Sequence, residues 1–301
     1  MIDFKAIKKI DIHVHTSLFS DITPVPYFSA DDILKIYDEN NVEAGVLMSS
    51  ADAFGFSTVS PSEQSKMLSD NSNGRLKWFC NVSPFALENS PNADLSKLLN
   101  HYKSLGAKGV GEVSANIYAD DPFMDNLFYH CAKSDMPVII HLATKIGGTY
   151  GIVDDKGLPR IEKMLKKHKG LKLIGHSQVF WSEISSDCTE EERSKYPTGN
   201  VKEGRIAKLM RECDNLYCDL SAGSGANAMM RDRKYAADFL TEFADRIFYG
   251  TDLCRKGQKF REDFSSFLEN LVSDGLLSIE NYVKIVRNNA AKLLGIEEYE
   301  L

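Results

Sequence analysis

The pair His13 and His15, in Asp11-Ile12-His13-Val14-His15, is the first place in the chain where side chains could gather around a metal ion. In a regular strand successive side chains point to opposite faces, so both imidazoles project the same way, about 7 Å apart, with Asp11 beside them. Ile10, Ile12 and Val14 then point to the other face. Two imidazoles on one face can converge on one cation, whereas a polar face on an otherwise apolar strand is costly to bury alone. The pair is a metal site only if further ligands join it. Glu112 in Gly-Val-Gly-Glu-Val, His141 after Pro-Val-Ile-Ile, His176 after Leu-Ile-Gly and Asp252 in Tyr-Gly-Thr-Asp are the candidates, each in or just beyond an apolar segment.

The elements that must position them are legible as alternation. Eight short apolar or β-branched segments occur at 8–15, 42–49, 76–82, 107–113, 137–143, 171–176, 216–220 and 246–251. Several are near-continuous apolar runs, the pattern of parallel strands covered on both faces. Helical stretches lie between them: 30–40 with Ser29 as N-cap, 94–105 ending at Gly106, 125–134, 158–168, 204–213 and 235–244. Eight β/α alternations predict an α/β fold, a (β/α)8 TIM barrel, with extra C-terminal helices at 264–272, 279–287 and 289–294 and one domain spanning 1–301. In such barrels the chemistry sits at the C-terminal ends of the strands. Four of the seven histidines fall there, while His101, His130 and His168 fall in helical stretches. Several imidazoles plus carboxylates at a barrel mouth form the donor set of a catalytic Zn²⁺ or Mn²⁺ site.

Composition narrows the function. With 301 residues and 43% hydrophobic content the chain can bury a substantial core. A net charge of −7 argues against a nucleic-acid partner. No apolar run is long enough to cross a bilayer, and the first residues begin no signal peptide. The six cysteines, at 80, 131, 188, 213, 218 and 254, form no CxxC pair and are expected to be reduced thiols of a cytoplasmic protein.

The ordered motifs resemble the amidohydrolase superfamily, and within it the amidohydrolase-2 group of metal-dependent hydrolases and decarboxylases. Asp-Ile-His-Val-His matches the first-strand motif, Pro-Val-Ile-Ile-His the fifth, Leu-Ile-Gly-His-Ser the sixth, Asn-Leu-Tyr-Cys-Asp-Leu-Ser the seventh and Tyr-Gly-Thr-Asp the eighth. Asn288-Asn289-Ala290-Ala291-Lys292-Leu293-Leu294 is similar to the terminal helix of that group. The resemblance implies that His13, His15, His141 and Asp252 hold one divalent ion and that His176 contacts substrate or moves a proton. Gly-Glu-Val also resembles TatD-like hydrolases, in which a fourth-strand carboxylate bridges two ions, His141 and His176 binding the second. Glu112 is thus a metal ligand, an acceptor orienting a histidine, or a substrate contact. One or two ions per chain are expected, zinc or alternatively manganese. Asp252 is the expected general base and His176 the group that stabilises an oxyanion.

Substrate signals are thinner. The stretch 177–201 is long for a β/α connection and carries Phe180 and Trp181, as a lid over substrate or as an oligomer contact. A glycine-rich turn from Ser221 to Asn227, containing Ser224, leads toward Arg231. It is either an anion-binding turn or a flexible turn with solvated arginines. These residues make Trp181, Ser224 and Arg231 the candidate substrate contacts for a small molecule, and the cations gathered near them point to an anionic one. Three readings follow: metal-dependent hydrolysis of an ester, lactone or amide; metal-dependent non-oxidative decarboxylation; and a non-catalytic metal-bound barrel. Glu112 favours the first, because a second ion serves water activation better than loss of a carboxylate.

Overall fold

The computed structural model describes residues 2–17, 26–50 and 59–301. Eight strands follow one another in parallel around a barrel. The first three, β1 (Lys9–Val14), β2 (Val42–Leu47) and β3 (Leu76–Trp78), form one sheet. A second sheet contains β4 (Val110–Val113), β5 (Val138–Ala143), β7 (Leu173–His176), β8 (Leu216–Asp219) and β9 (Ile247–Phe248), with the two-residue β6 (Ile152–Val153) paired to β5. Parallel bridges from Cys80 to Val110 and from Val14 to Leu253 join the two sheets. Ile12 N–H to the Tyr249 carbonyl, at 3.0 Å, helps to close the ring. All eight segments expected from the sequence are present, mostly shorter than drawn. Among the described residues no helix is long and apolar enough to cross a membrane.

Helices cover the outside. In α1 (Ala30–Glu39) Ser29 is the N-cap, as expected, and with Asp32 completes a reciprocal capping pair. The other connections include α2 (Ser62–Asp70), α3 (Ser96–Ser104), α4 (Pro122–Lys133), α5 (Pro159–Lys167), α6 (Gln178–Ser182), α7 (Arg205–Glu212), α8 (Ala222–Met230) and α9 (Arg233–Glu242). The C-terminal additions are α10 (Glu262–Ser273), α11 (Ile279–Val283) and α12 (Asn289–Leu294). Ala290, Ala291 and Leu294 of α12 plug the barrel's lower end, packing with Ile10, Ile12, Val46, Phe79, Ile139 and Ile174. The glycine-rich turn expected after residue 220 is instead α8, helical from Ala222, so Gly223 and Gly225 lie inside a helix.

Strict strand pairing fails at three places, one between Lys9 and Ile10 and two beside candidate ligands. From Asp11 to Val14 β1 spends three residues while β2 spends two, Gly45 to Leu47. From Val110 to Val113 β4 spends three against two in β5, Val138 to Ile140. One extra residue in a strand re-aims the side chains beyond it. Hence Ile12 packs in the inner cluster while the adjacent His13 also faces inward. Asp11 points away from the pair rather than along it. Its carboxylate accepts from Tyr37 Oη (2.9 Å) on α1, from Thr251 N (2.9 Å) and Oγ1 (2.5 Å), and from His13 N (3.0 Å). Burial pushes its pKa up to about 6 against the pull of these donors, leaving it ionised at neutral pH.

Asp11 therefore ties α1, β1 and the segment after β9 together. Asp11→Ala leaves four buried donors facing a void and is expected to lower unfolding stability by about 3–5 kcal/mol. Urea unfolding of both proteins checks this, and a loss below 1 kcal/mol contradicts it.

Candidate metal centre

The upper ends of the strands gather four further predicted residues, Glu112, His141, His176 and Asp252, around the His13–His15 pair. His13 Nε2 lies 3.0 Å from His15 Nε2. Glu112 Oε2 stands 3.7 Å from His13 Nε2 and 3.4 Å from His15 Nε2. Asp252 Oδ1 stands 3.8 and 3.5 Å from the same two nitrogens. The other oxygen of Glu112, Oε1, lies 2.7 Å from His141 Nδ1 and 3.7 Å from His176 Nε2. One carboxylate thus presents one oxygen to each histidine pair.

These spacings suit a cation. An ion bound tetrahedrally by nitrogen and oxygen at about 2.0–2.2 Å holds neighbouring ligand atoms roughly 3.3–3.5 Å apart. The distances between His13 and His15 and from each of them to Glu112 and Asp252 run from 3.0 to 3.8 Å. His13, His15, Glu112 and, separately, Glu112, His141, His176 form compact ligand triads. The donors, imidazole nitrogen and carboxylate oxygen, are those of zinc and manganese sites.

A residue missed in the sequence holds the cluster in place. Asp219, fully buried at the end of β8, receives His13 Nδ1 at 2.8 Å and His176 Nδ1 at 3.0 Å on one oxygen. Ser221 Oγ donates to the same oxygen at 2.6 Å. With Nδ1 of each ring turned to Asp219, the Nε2 atoms face the centre, the arrangement that fixes tautomer and orientation in metal-bound histidines. Space for Asp219 exists because residue 250 is glycine: a Cβ there would fall 2.7 Å from Asp219 Oδ1 and 2.8 Å from Ser221 Cβ. The sequence signal was a carboxylate closing the seventh apolar segment, Leu-Tyr-Cys-Asp.

Charge in the cluster is tightly balanced. Burial opposes ionisation of Glu112, yet His141, with hydrogen bonds from His13 and His15, holds its carboxyl well below the usual range. Burial likewise opposes charge on His13, but the bonds to Asp219 and Glu112 raise its pKa well above that of a free imidazole. His176 is raised in the same sense: burial and the neighbouring His13 oppose it, and Asp219 and Glu112 outweigh them. Asp252 differs from the rest. Its side chain keeps 27% exposure and its backbone is left-handed, φ 54°, a conformation that aspartate tolerates and that recurs at functional sites. Tyr150, also missed in the sequence, lays its ring 4.6 Å from that of His141.

The candidate substrate contacts Trp181, Ser224 and Arg231 line one small cavity together, and none of them is among the residues that meet in the cluster. Trp181 is buried and donates Nε1–H to the Asp219 carbonyl at 2.9 Å. Phe180 fills the space above Gly175, where a Cβ would come within 2.2 Å of its ring. Both rings are buried. The 177–201 connection is fixed by Arg193, buried against Glu183 (3.3 Å), Glu190 (2.9 Å) and the Asp154 carbonyl (3.1 Å). Ser224 is buried, and its Oγ has no hydrogen-bond partner among the described residues. Arg231 donates to the carbonyls of Gly199 (2.7 Å) and Thr198 (3.1 Å) beside a cavity of about 570 Å³.

Two outcomes follow for the metal-loaded protein. Asp219→Ala is expected to weaken zinc affinity about 10–100-fold, read by competition with a chromophoric chelator; unchanged affinity removes the orienting role. Because His13 and His176 must give up protons to ligate, zinc affinity is expected to rise as pH rises from about 6 to 8, with proton release on binding. Calorimetry in buffers of different ionisation enthalpy counts those protons, and zero release contradicts the ligand assignment.

The structure is similar to several solved barrels at low identity. A probable 2-pyrone-4,6-dicarboxylic acid hydrolase from Acinetobacter baumannii aligns with TM-score 0.59 and 13% identity over 96% of this chain and 100% of that one. A dihydroxybenzoic acid decarboxylase from Polaromonas, solved with bound manganese and 2-nitroresorcinol, gives 0.60 and 16% over 96% and 97%. The 5-carboxyvanillate decarboxylase of Sphingomonas paucimobilis gives 0.61 and 14% over 97% and 100%. No curated protein sequence matches. The amidohydrolase family model, of the amidohydrolase-2 type, matches residues 10–296. The chain therefore belongs to the amidohydrolase-2 family.

Proposed function

We propose that the protein is a metal-dependent hydrolase of a small ester, lactone or amide. The observation that carries this reading is Glu112, with one oxygen toward His13 and His15 and the other toward His141 and His176. His13, His15 and Asp252 would hold one divalent ion, His141 and His176 a second, and Glu112 would bridge them. Zinc is the first expectation, with manganese the alternative supported by the ion in the Polaromonas decarboxylase. Bound there, such ions lower the pKa of a coordinated water to about 7 and polarise a carbonyl oxygen.

The chain's own groups supply the rest. Asp252, the most exposed carboxylate of the cluster, accepts the proton of the attacking water and returns it to the leaving group. His176, held by Asp219 through Nδ1, presents Nε2 to the oxygen that gains charge in the transition state. The low exposure of His13, His176 and Glu112 excludes bulk water and strengthens these interactions.

A second reading is supported by the names of two structural relatives: metal-dependent decarboxylation of a small aromatic acid on the same ligand set. The two readings differ in products. Under the first, the metal-loaded protein hydrolyses a panel of lactones and aryl esters and releases no CO₂ from dihydroxybenzoates. CO₂ release without ester or lactone turnover favours the second.

The metal content separates them further. Elemental analysis of zinc-supplemented protein is expected to give two ions per chain, and Glu112→Gln to give one. A single ion in both proteins overturns the bridging role. Asp252→Asn is expected to lower kcat by about 10²–10⁴-fold; a change below threefold in protein with full metal content excludes Asp252 as the base.

A further inference from the structure

The end of the barrel opposite the metal centre carries a second feature that the proposed chemistry does not use. A cavity of about 850 Å³ opens there, between α12 and the N-terminal ends of β7, β8 and β9. This lies within the usual range for small-molecule sites, about 300–1,000 Å³. Its apolar wall is formed by Ile174, Tyr217, Phe248 and Leu293. The rings of Tyr217 and Phe248 are stacked, 5.9 Å between centroids and 28° between planes; Phe248 is buried in the core, and Tyr217 is half-buried. The Tyr217 hydroxyl has no hydrogen-bond partner among the described residues.

The other wall is cationic, on a chain whose net charge is −7. Lys103, Lys108, Lys172 and Lys292 line the cavity together with Asp135 and Asp245. Both carboxylates are already paired, Asp135 with Lys172 at 2.9 Å and Asp245 with Lys284 at 2.7 Å. Lys103 rests on the carbonyls of Ser134 (2.6 Å) and Asp135 (3.2 Å), which do not cancel its charge. Lys108 and Lys292 have no carboxylate partner among the described residues. Lys108 reaches the end of α12, its Nζ 3.9 Å from where a Cβ would stand on Gly295. Lys108 and Lys292 thus stand without a carboxylate beside the apolar wall.

We infer that this cavity binds a small organic anion with a planar apolar body, its ring against Tyr217 and its carboxylate or phosphate beside Lys108 and Lys292. Such a ligand bridges α12 to the strands it plugs, so it favours the closed lower end of the barrel. The site is separate from the metal centre and does not rest on the hydrolase reading.

The test uses the full-length, metal-loaded protein and the fluorescent aromatic anion 8-anilinonaphthalene-1-sulfonate. One site per chain is expected, with affinity falling as salt rises. The double variant Lys108→Glu, Lys292→Glu is expected to weaken binding about tenfold or more. Tyr217→Ala, which keeps the lysines, is expected to weaken it through the lost ring contact. Melting curves and circular dichroism establish that both variants are folded. Displacement by 1-naphthoate points to a carboxylate ligand and displacement by adenosine monophosphate to a phosphate. No binding to the wild type, wild-type affinity in the folded double variant, or displacement by neither competitor overturns the site.

Discussion

A single oxygen of Asp219 receives His13 Nδ1, His176 Nδ1 and the Ser221 hydroxyl, all within 3.0 Å and with no solvent exposure. Removing a carboxylate from water is costly unless its lone pairs are satisfied, and here the donors that satisfy it are groups the centre needs aimed elsewhere. By taking Nδ1 of each ring, Asp219 leaves both Nε2 atoms directed at Glu112 and Asp252. The surroundings serve this contact. Trp181 fixes the Asp219 main chain from the α6 side, and the absence of a side chain at Gly250 leaves room for the carboxylate from the β9 side. Trp181 and Gly250 are therefore part of how the cluster is held.

The second constraint is geometric. A strand delivers side chains to alternate faces, yet the centre requires His13 to face inward next to an inward Ile12, and Glu112 to face inward at the top of β4. One extra residue in β1 and one in β4 resolve the conflict. Both irregularities lie on the two strands whose side chains meet, His13 Nε2 and Glu112 Oε2 at 3.7 Å. Asp11, displaced outward by the same bulge, becomes the anchor between α1 and the chain after β9.

Much of this was legible in the sequence, for physical reasons. Buried parallel strands read as apolar runs, so all eight appeared, and the residues closing those runs, His13, Glu112, His141, His176 and Asp252, are the ones that converge. The face assignment in Asp11–His15 was not legible, because a bulge is set by pairing with β2 rather than by local residue types. Asp219 was passed over because a lone aspartate at a strand end has many ordinary roles; its meaning depends on two histidines more than 40 residues away in sequence. Trp181 and Phe180 read as surface groups because the 177–201 stretch looks like an open loop. Its folding around the buried Arg193 rests on long-range partners such as Asp154 that local pattern cannot supply.

We propose that these strand ends form one ion-binding centre, organised by Asp219 and bridged by Glu112. Anomalous diffraction at the zinc edge from crystals of the zinc-loaded protein tests it most directly. Two peaks are predicted, one among His13, His15, Glu112 and Asp252 and one among His141, His176 and Glu112, with His13 and His176 still bonded to Asp219. No peak among these residues, or His13 and His176 turned away from Asp219, would contradict the account.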